Sequence, residues 1–216
     1  MIQLEKVSVG GFCLGAVGTN TYIVYRDKKA VIIDPADNGE GIFDAVSEEG
    51  LSIEAVLITH AHFDHILGLE GLLSKKSVPV FAPHAEKELF SNADMNQSAV
   101  FNRPCTVSAD RWLEDGEAFT AGGISFTMIH TPGHTPGSCC YYIENGDEPL
   151  LFSGDTLFQA SVGRTDLPGG NSEALKQSVM KLYDMLPENT HVYPGHGEAT
   201  WLGFEKKYNP YVSVEG

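Results

Sequence analysis

The chain has 216 residues, of which 42% are hydrophobic and 20% charged, and its formal net charge is −15. That length suits one sizeable core and is short for two, so a single domain over residues 1–216 is expected. An acidic total argues against nucleic acid as a partner, since phosphate binding needs a basic surface.

Residues 1–7 lack the basic start and long apolar stretch of a secretory signal, and no apolar run approaches membrane-spanning length. A cytoplasmic protein without a membrane partner is expected. Cys13, Cys105, Cys139 and Cys140 form no C-x-x-C pair. Adjacent Cys139 and Cys140 would face opposite sides of a strand, and buried thiols in a reducing compartment are the expectation.

In chain order, strand-like pieces at residues 2–9, 12–17, 21–25 and 30–33 are separated by Gly10-Gly11, Gly18 and Asp27-Lys28-Lys29. Such close spacing predicts an antiparallel meander. Asp34-Pro35 closes it. Residues 38–50 carry a helical stripe of Ile42, Phe43 and Val46 that stops at Gly50. A short buried strand at residues 55–58 leads into Thr59-His60-Ala61-His62-Phe63-Asp64-His65, followed by a predicted helix over residues 65–73. A strand at 78–81 and a proline-started helix at 83–90 come next. Residues 91–110 read as a long loop with one helical turn, a kind of segment that often borders active sites.

A second group of strands is predicted at residues 117–119, 124–130, 138–143 and 150–153, with Asn145-Gly146 as a hairpin signal. The last third offers a helix over residues 171–186, a strand at 191–193 and a short closing helix. The whole reads as two sets of strands with helices outside them.

Three histidines and an aspartate within six positions, at a strand end, are metal-ligand chemistry. His60 and His62 are spaced to share one ion, whereas Asp64 and His65 are displaced sideways and fit a second better. Three later stretches repeat one layout, a strand end followed by a Gly- or Pro-rich loop. They present His134, Asp155 and His196. Each alone reads equally as an ordinary turn residue. His84 and His191 lack this setting and are read as structural or surface, and His130 is ambiguous. Together, His60, His62, His65, His134, His196, Asp64 and Asp155 can hold two divalent ions, with one carboxylate bridging and a water shared between them.

The pattern His60-x-His62-x-Asp64-His65, then His134, Asp155 and His196, resembles the metallo-β-lactamase superfamily, and within it the small glyoxalase II-like (hydroxyacylglutathione hydrolase-like) hydrolases. The resemblance implies an α/β fold of α+β type, a four-layer αββα sandwich with the metals at one edge. It implies that His60, His62 and His134 hold one metal, that Asp64, His65 and His196 hold the other, and that Asp155 bridges. Zinc is the implied metal, with iron or manganese as alternatives. The stretch 161–170 is similar to a loop of the small single-domain branch, and the ending 203–211 to glyoxalase II relatives.

The C-terminal helical domain that helps full-length glyoxalase II hold glutathione has no counterpart within residues 1–216. Arg164 stands where the family has a basic substrate-binding residue, although it could equally brace its own loop against Asp166. Asp155 replaces the cysteine of several β-lactamases, and His62 the glutamate of flavodiiron oxygen reductases.

The implied function is hydrolysis of a small-molecule thioester by a metal-bridging hydroxide that Asp64 and Asp155 orient. The rival from another class is a mononuclear iron persulfide dioxygenase using only His60, His134 and Asp155. A metal-binding protein without catalysis is the weaker third reading.

Overall fold

Strand pairing starts at the Asp27-Lys28 turn, where two residues with φ of 50° and 65° reverse the chain. The turn joins β2 (Thr19–Arg26) to β3 (Lys29–Ile33), and β1 (Ser8–Leu14) pairs antiparallel on the other side of β2. The computed structural model describes residues 6–213. The predicted meander is therefore present but has fewer strands than expected. Gly10 and Gly11 lie inside β1 and pair with Ile23 and Tyr22, so they do not break the strand. The real turn is at residues 15–18, where Gly15 and Gly18 have positive φ. The start of the predicted strand, at residues 2–5, lies outside the described residues.

From β3 the sheet continues parallel. Helix α1 (Gly39–Glu48), capped by the Asn38 side chain, crosses over to β4 (Ser52–Leu57). The predicted helix over 65–73 is two pieces, α2 (Phe63–Ile66) and α3 (Leu69–Lys75). Gly68 separates them because its backbone lies against the 35–39 segment: its N–H donates to the Pro35 carbonyl at 2.9 Å, and an added Cβ would stand 2.8 Å from the same oxygen. This contact is tertiary and leaves no mark in local periodicity.

β5 (Val80–Pro83) is followed by a single 3-10 turn at His84–Glu86 and by α4 (Lys87–Phe90), where one longer helix was predicted. Residues 91–110 form turns without a regular helix. They end at β6 (Arg111–Leu113), a three-residue strand too short to show a pattern, which completes the first sheet in the order β1-β2-β3-β4-β5-β6.

The second sheet contains β7 (Ala118–Ala121), β8 (Ile124–His130), β9 (Cys139–Ile143) and β10 (Leu150–Gly154). Asn145-Gly146 does lie between paired antiparallel strands, but in a six-residue connection, residues 144–149. A small hairpin follows, β11 (Leu157–Phe158) with β12 (Ser161–Val162), which sequence reading missed. Helix α5 (Ser172–Met185) is capped by the Asn171 side chain, which accepts from Ala174 N–H. β13 (His191–Pro194), the two-residue β14 (Thr200–Trp201) and α6 (Leu202–Tyr208) end the fold. The sheet order is β14-β13-β10-β9-β8-β7, with only β10 and β13 parallel.

Period-two alternation decides the layers. Val31 and Ile33 of β3 point inward with Leu57 and Phe81, against Phe119, Phe126, Tyr141 and Phe152 of the second sheet. Ile32 and Val56 point outward to Ile42, Val46, Leu69 and Leu72 of the helices. On the far side Ile129, Leu151 and Val192 pack on Val179, Leu182 and Leu202. The product is an αββα sandwich whose central strands are apolar on both faces, each fully buried Leu, Ile or Phe contributing about 1.5–3 kcal/mol.

Cys139 and Cys140 are buried on opposite faces of β9, as the sequence predicts. Cys13 is exposed and Cys105 half-buried, which corrects the expectation of four buried thiols: Cys13 lies on the edge strand and Cys105 on the 91–110 loop. Among the described residues no helix is long and apolar enough to cross a membrane.

Candidate metal centre

The carboxyl ends of β3, β4, β8, β10 and β13 converge at one edge of the sandwich, and the residues just beyond them are Asp34, the 59–65 segment, the 131–137 loop, Asp155 and His196. Backbone bonds lace these loops together, across the two sheets from Cys139 N–H to Thr59 O at 3.0 Å and from Asn20 N–H to Gly195 O at 2.7 Å, and within the second sheet from Gly195 N–H to Gly154 O at 2.8 Å. Gly195 must be glycine for steric reasons, since a Cβ there would collide with Asp155 Oδ1 and with the His65 ring.

The donors form overlapping groups whose ligand atoms lie within 4.8 Å of one another: His60, His62 and His134; His60, His65 and Asp155; Asp64, His65 and His196. Every residue singled out in the sequence as a ligand is therefore brought into one cluster. Asp155 lies between the two triads, with Oδ1 3.4 Å from His65 Nε2, and Oδ2 3.5 Å from His134 Nε2 and 3.6 Å from His196 Nε2. Asp64 Oδ2 accepts from Thr19 Oγ1 at 2.6 Å and lies 3.3 Å from His196 Nε2.

Outer partners choose which nitrogen each ring turns inward. His65 Nδ1 donates to Asp34 Oδ2 at 2.9 Å. Thr59 Oγ1 donates to the same carboxylate at 2.7 Å and accepts from His60 Nδ1 at 3.1 Å. His134 Nδ1 donates to the Arg164 carbonyl at 2.7 Å. Each contact leaves Nε2 facing the cluster.

The interior is short of partners in the way a cation would remedy. His60 Nε2, His62 Nε2, His65 Nε2 and Asp155 Oδ1 are buried without a hydrogen bond, a state that costs about 1–3 kcal/mol per group. His62 Nδ1 and His134 Nε2 face each other at 2.8 Å, two ring nitrogens reconciled by a shared proton or a shared ion. Imidazole and carboxylate donors of this kind fit a divalent metal, and the cluster is a candidate metal-ion site.

Electrostatics agree with the donor roles at His60, His62 and the two carboxylates. His65 and His196 are instead raised despite burial, His65 by Asp64, Asp34 and Asp155 and His196 by Asp64 and Asp155, so these two rings hold protons that a bound cation would displace. Burial pushes His60 well below its usual range, helped by the neighbouring His65 and His134. Burial, then His134, pushes His62 down to about 3, so both rings are neutral and ready to ligate. Burial would raise Asp64, but His65 and the hydrogen bonds from His196 and Thr19 outweigh it and hold the carboxyl low. Asp155 is likewise lowered despite burial, chiefly by His65.

The remaining candidates separate. Arg164 lines the cleft in front of the cluster, yet its guanidinium makes two 2.7 Å bonds to Asp166, and both side chains are exposed. His84 pairs with Glu114 at the surface, His191 lies parallel to the Tyr193 ring and meets Trp201 at a tilt, and His130 Nε2 binds the Pro136 carbonyl. None of these three reaches the cluster.

Sequence reading missed Asp34, Thr19 and Glu86. Asp34 has φ of 51°, unusual for a non-glycine residue, and its one signal was a carboxylate before proline at a strand end. Glu86 is buried and accepts from Ala61 N–H, Thr135 Oγ1 and Gly137 N–H, joining the 59–65 segment to the 131–137 loop. At the C-terminus Glu205 and Asn209 play a similar part, since Glu205 accepts from Ala160 N–H at 3.0 Å and Asn209 Nδ2 donates to the Ser161 carbonyl at 3.0 Å. These bonds tie α6 to the β11–β12 hairpin.

A four-layer sandwich with such a cluster at its edge defines a class. The chain belongs to the metallo-β-lactamase superfamily, whose family model matches residues 14–196. It is 37% identical over 202 residues to the probable metallo-hydrolase YqgX of Bacillus subtilis, covering 93% of this chain and 95% of that one. It is 32% identical to the hydroxyacylglutathione hydrolase GloC of Haemophilus influenzae, covering 90% and 92%. Among solved structures it is similar to the BLEG-1 B3 metallo-β-lactamase, with a TM-score of 0.89, 40% identity and coverage of 95% and 99%. It is also similar to TTHA1623 in a di-iron-bound form, with a TM-score of 0.83, 36% identity and coverage of 94% and 100%. The chain is thus a member of a superfamily of metallo-hydrolases and carries the ligands of a metal site.

Proposed function

We propose that the protein hydrolyses thioesters using two divalent ions, zinc by preference, held by His60, His62 and His134 on one side and Asp64, His65 and His196 on the other. The observation that carries this reading is the position of Asp155, whose two oxygens lie 3.4–3.5 Å from His65 and His134, one member of each triad. A mononuclear site would not need the second triad. Similarity to a hydroxyacylglutathione hydrolase supports the thioester as substrate.

Ions bound there would supply a water of lowered pKa and polarise the carbonyl it meets. The protein's own part is to orient and to hold charge. Asp64 is kept ionised, so it can accept a hydrogen bond from the reacting water, and Thr19 fixes its Oδ2. The His134 loop and the 59–65 segment are locked to each other through Glu86, which preserves ligand spacing. A thiolate leaves without needing a strong acid beside it.

A second reading has a specific observation behind it, the 40% identity to a B3 metallo-β-lactamase. One panel tests both on metal-replete protein: lactoylglutathione and simple acyl thioesters against a penicillin and a cephalosporin, with oxygen uptake on a persulfide alongside. Thioester turnover well above lactam turnover, without oxygen uptake, is the expected result. Dominant lactam hydrolysis or persulfide oxidation would replace the proposal.

A further inference from the structure

The cleft that opens onto the ligand cluster is about 370 Å³, enough for a small organic ligand, and apart from the metal donors its walls are mainly apolar. Val17, Phe63, Phe101, Phe158, Val162 and Leu167 face it. Phe63 directly follows the ligand His62, and the Phe101 ring stacks on it with centroids 4.1 Å apart and planes 21° from parallel. Yet Phe101 is 50% exposed and Val17 44% exposed. Large apolar groups left open beside a reacting centre are groups that a ligand covers.

This wall is fixed in advance. The segment carrying Phe101 is held by Asn96 Nδ2 donating to the Cys105 carbonyl at 2.9 Å, and Phe63 N–H donates to the Asn96 carbonyl at 2.9 Å. Arg103 anchors the same segment to Asp37 through two bonds of 2.7 and 3.2 Å. A rigid aromatic surface loses little entropy when a flat group settles on it. Charge recognition is weak here by comparison. Arg164, the cationic side chain in the cleft wall, stands at its mouth with Asp166 already bound.

We propose that the cleft selects substrates whose acyl group is apolar and flat, an arylacyl or similar group seated on the Phe63–Phe101 stack, in preference to small hydroxyacyl groups. This rests on the hydrolytic reading above for the reaction, but not for the binding. The chemistry is burial of an aryl face against aromatic carbon at a distance set by the carbonyl at the ligand cluster.

Calorimetric titration of the metal-loaded protein with phenylacetate and acetate isolates the acyl preference, because the two share the carboxylate, carry no second metal-chelating group and are not thioesters. Phenylacetate is expected to bind at least tenfold more tightly than acetate. In Phe101→Ala that advantage should shrink to about threefold or less, with Phe101→Leu intermediate. Phe101 is half exposed, so these variants should keep the fold, which the melting temperature checks. Phenylacetate binding no better than acetate, no binding at all, or an advantage unchanged in Phe101→Ala would overturn the proposal. Turnover of phenylacetyl and lactoyl thioesters of one thiol is the second arm, with a tenfold preference for the phenylacetyl ester expected. Selective phenylacetate binding with neither thioester hydrolysed would sink the thioester reading and leave the apolar selectivity standing.

Discussion

Asp34 and His65 stand 2.9 Å apart, carboxylate to Nδ1, and the contact decides which face of the imidazole reaches the metal centre. The same carboxylate holds Thr59 through its hydroxyl and its N–H, and Thr59 in turn holds His60. One buried residue outside the ligand set thus orients a ligand in each triad.

Asp34→Asn tests this relationship with little disturbance of the backbone, because asparagine tolerates the positive φ at this position. The amide would offer an N–H where His65 Nδ1 or Thr59 now donates. Metal affinity is expected to fall about 10- to 100-fold, the usual scale for losing such a partner. Competition with a chromophoric chelator would read it. Unchanged affinity would remove Asp34 from the orienting role.

Glu86 is the second buried carboxylate that the centre depends on, through Ala61, Thr135 and Gly137. Glu86→Gln turns an amide towards a backbone or hydroxyl donor, and a stability loss of about 1–3 kcal/mol is expected in the metal-free protein at neutral pH. The pH dependence has a definite sign. Burial raises the folded-state pKa of Glu86, partly offset by its hydrogen bonds from Thr135, Ala61 and Gly137. The folded protein then binds more protons than the unfolded chain above the unfolded value of about 4.5, so ionisation costs stability as pH rises. Glutamine does not titrate. The gap between wild type and Glu86→Gln should therefore widen as pH falls from the raised folded value towards 4.5. Urea denaturation across that window measures it, and a gap that narrows on acidification would contradict the account.

How much of this was visible beforehand depended on sequence distance. The 59–65 cluster was legible because its four donors are neighbours in the chain, and the strand before it announces itself by composition. His134, Asp155 and His196 were ambiguous one by one, and only the combined pattern and the family resemblance drew them together. Asp34 and Glu86 were illegible, because their partners lie 25–51 residues away and their importance comes from burial that no local window records. The same holds for the fold. Long alternating strands such as β8 were readable, whereas β6 and β14, three and two residues long, exist only because a neighbouring strand pairs with them. The break between α2 and α3 belongs to this group too.

Arg164 gives a test with two opposite arms. Its guanidinium meets a substrate carboxylate only by exchanging Asp166, and both members of that pair are solvent-exposed, where ion pairs contribute little. Arg164→Ala is expected to raise KM about three- to tenfold for a thioester whose thiol carries a carboxylate, with kcat nearly constant. An uncharged thiol should show no such change. Asp166→Ala, which frees the guanidinium, should lower KM for the charged substrate. Equal losses on both substrates would instead mean that Arg164 braces its loop.

The central claim is that two ions act together, and metal content per chain tests it most directly. Protein purified without chelators and then made metal-replete should carry two divalent ions per chain by elemental analysis. His60→Ala and His196→Ala should each retain fewer, hydrolyse no thioester and melt at a lower temperature than the loaded wild type, since bound metal stabilises the folded state. One iron per wild-type chain with no second metal, or near-normal thioester hydrolysis by His196→Ala, would contradict the two-ion account.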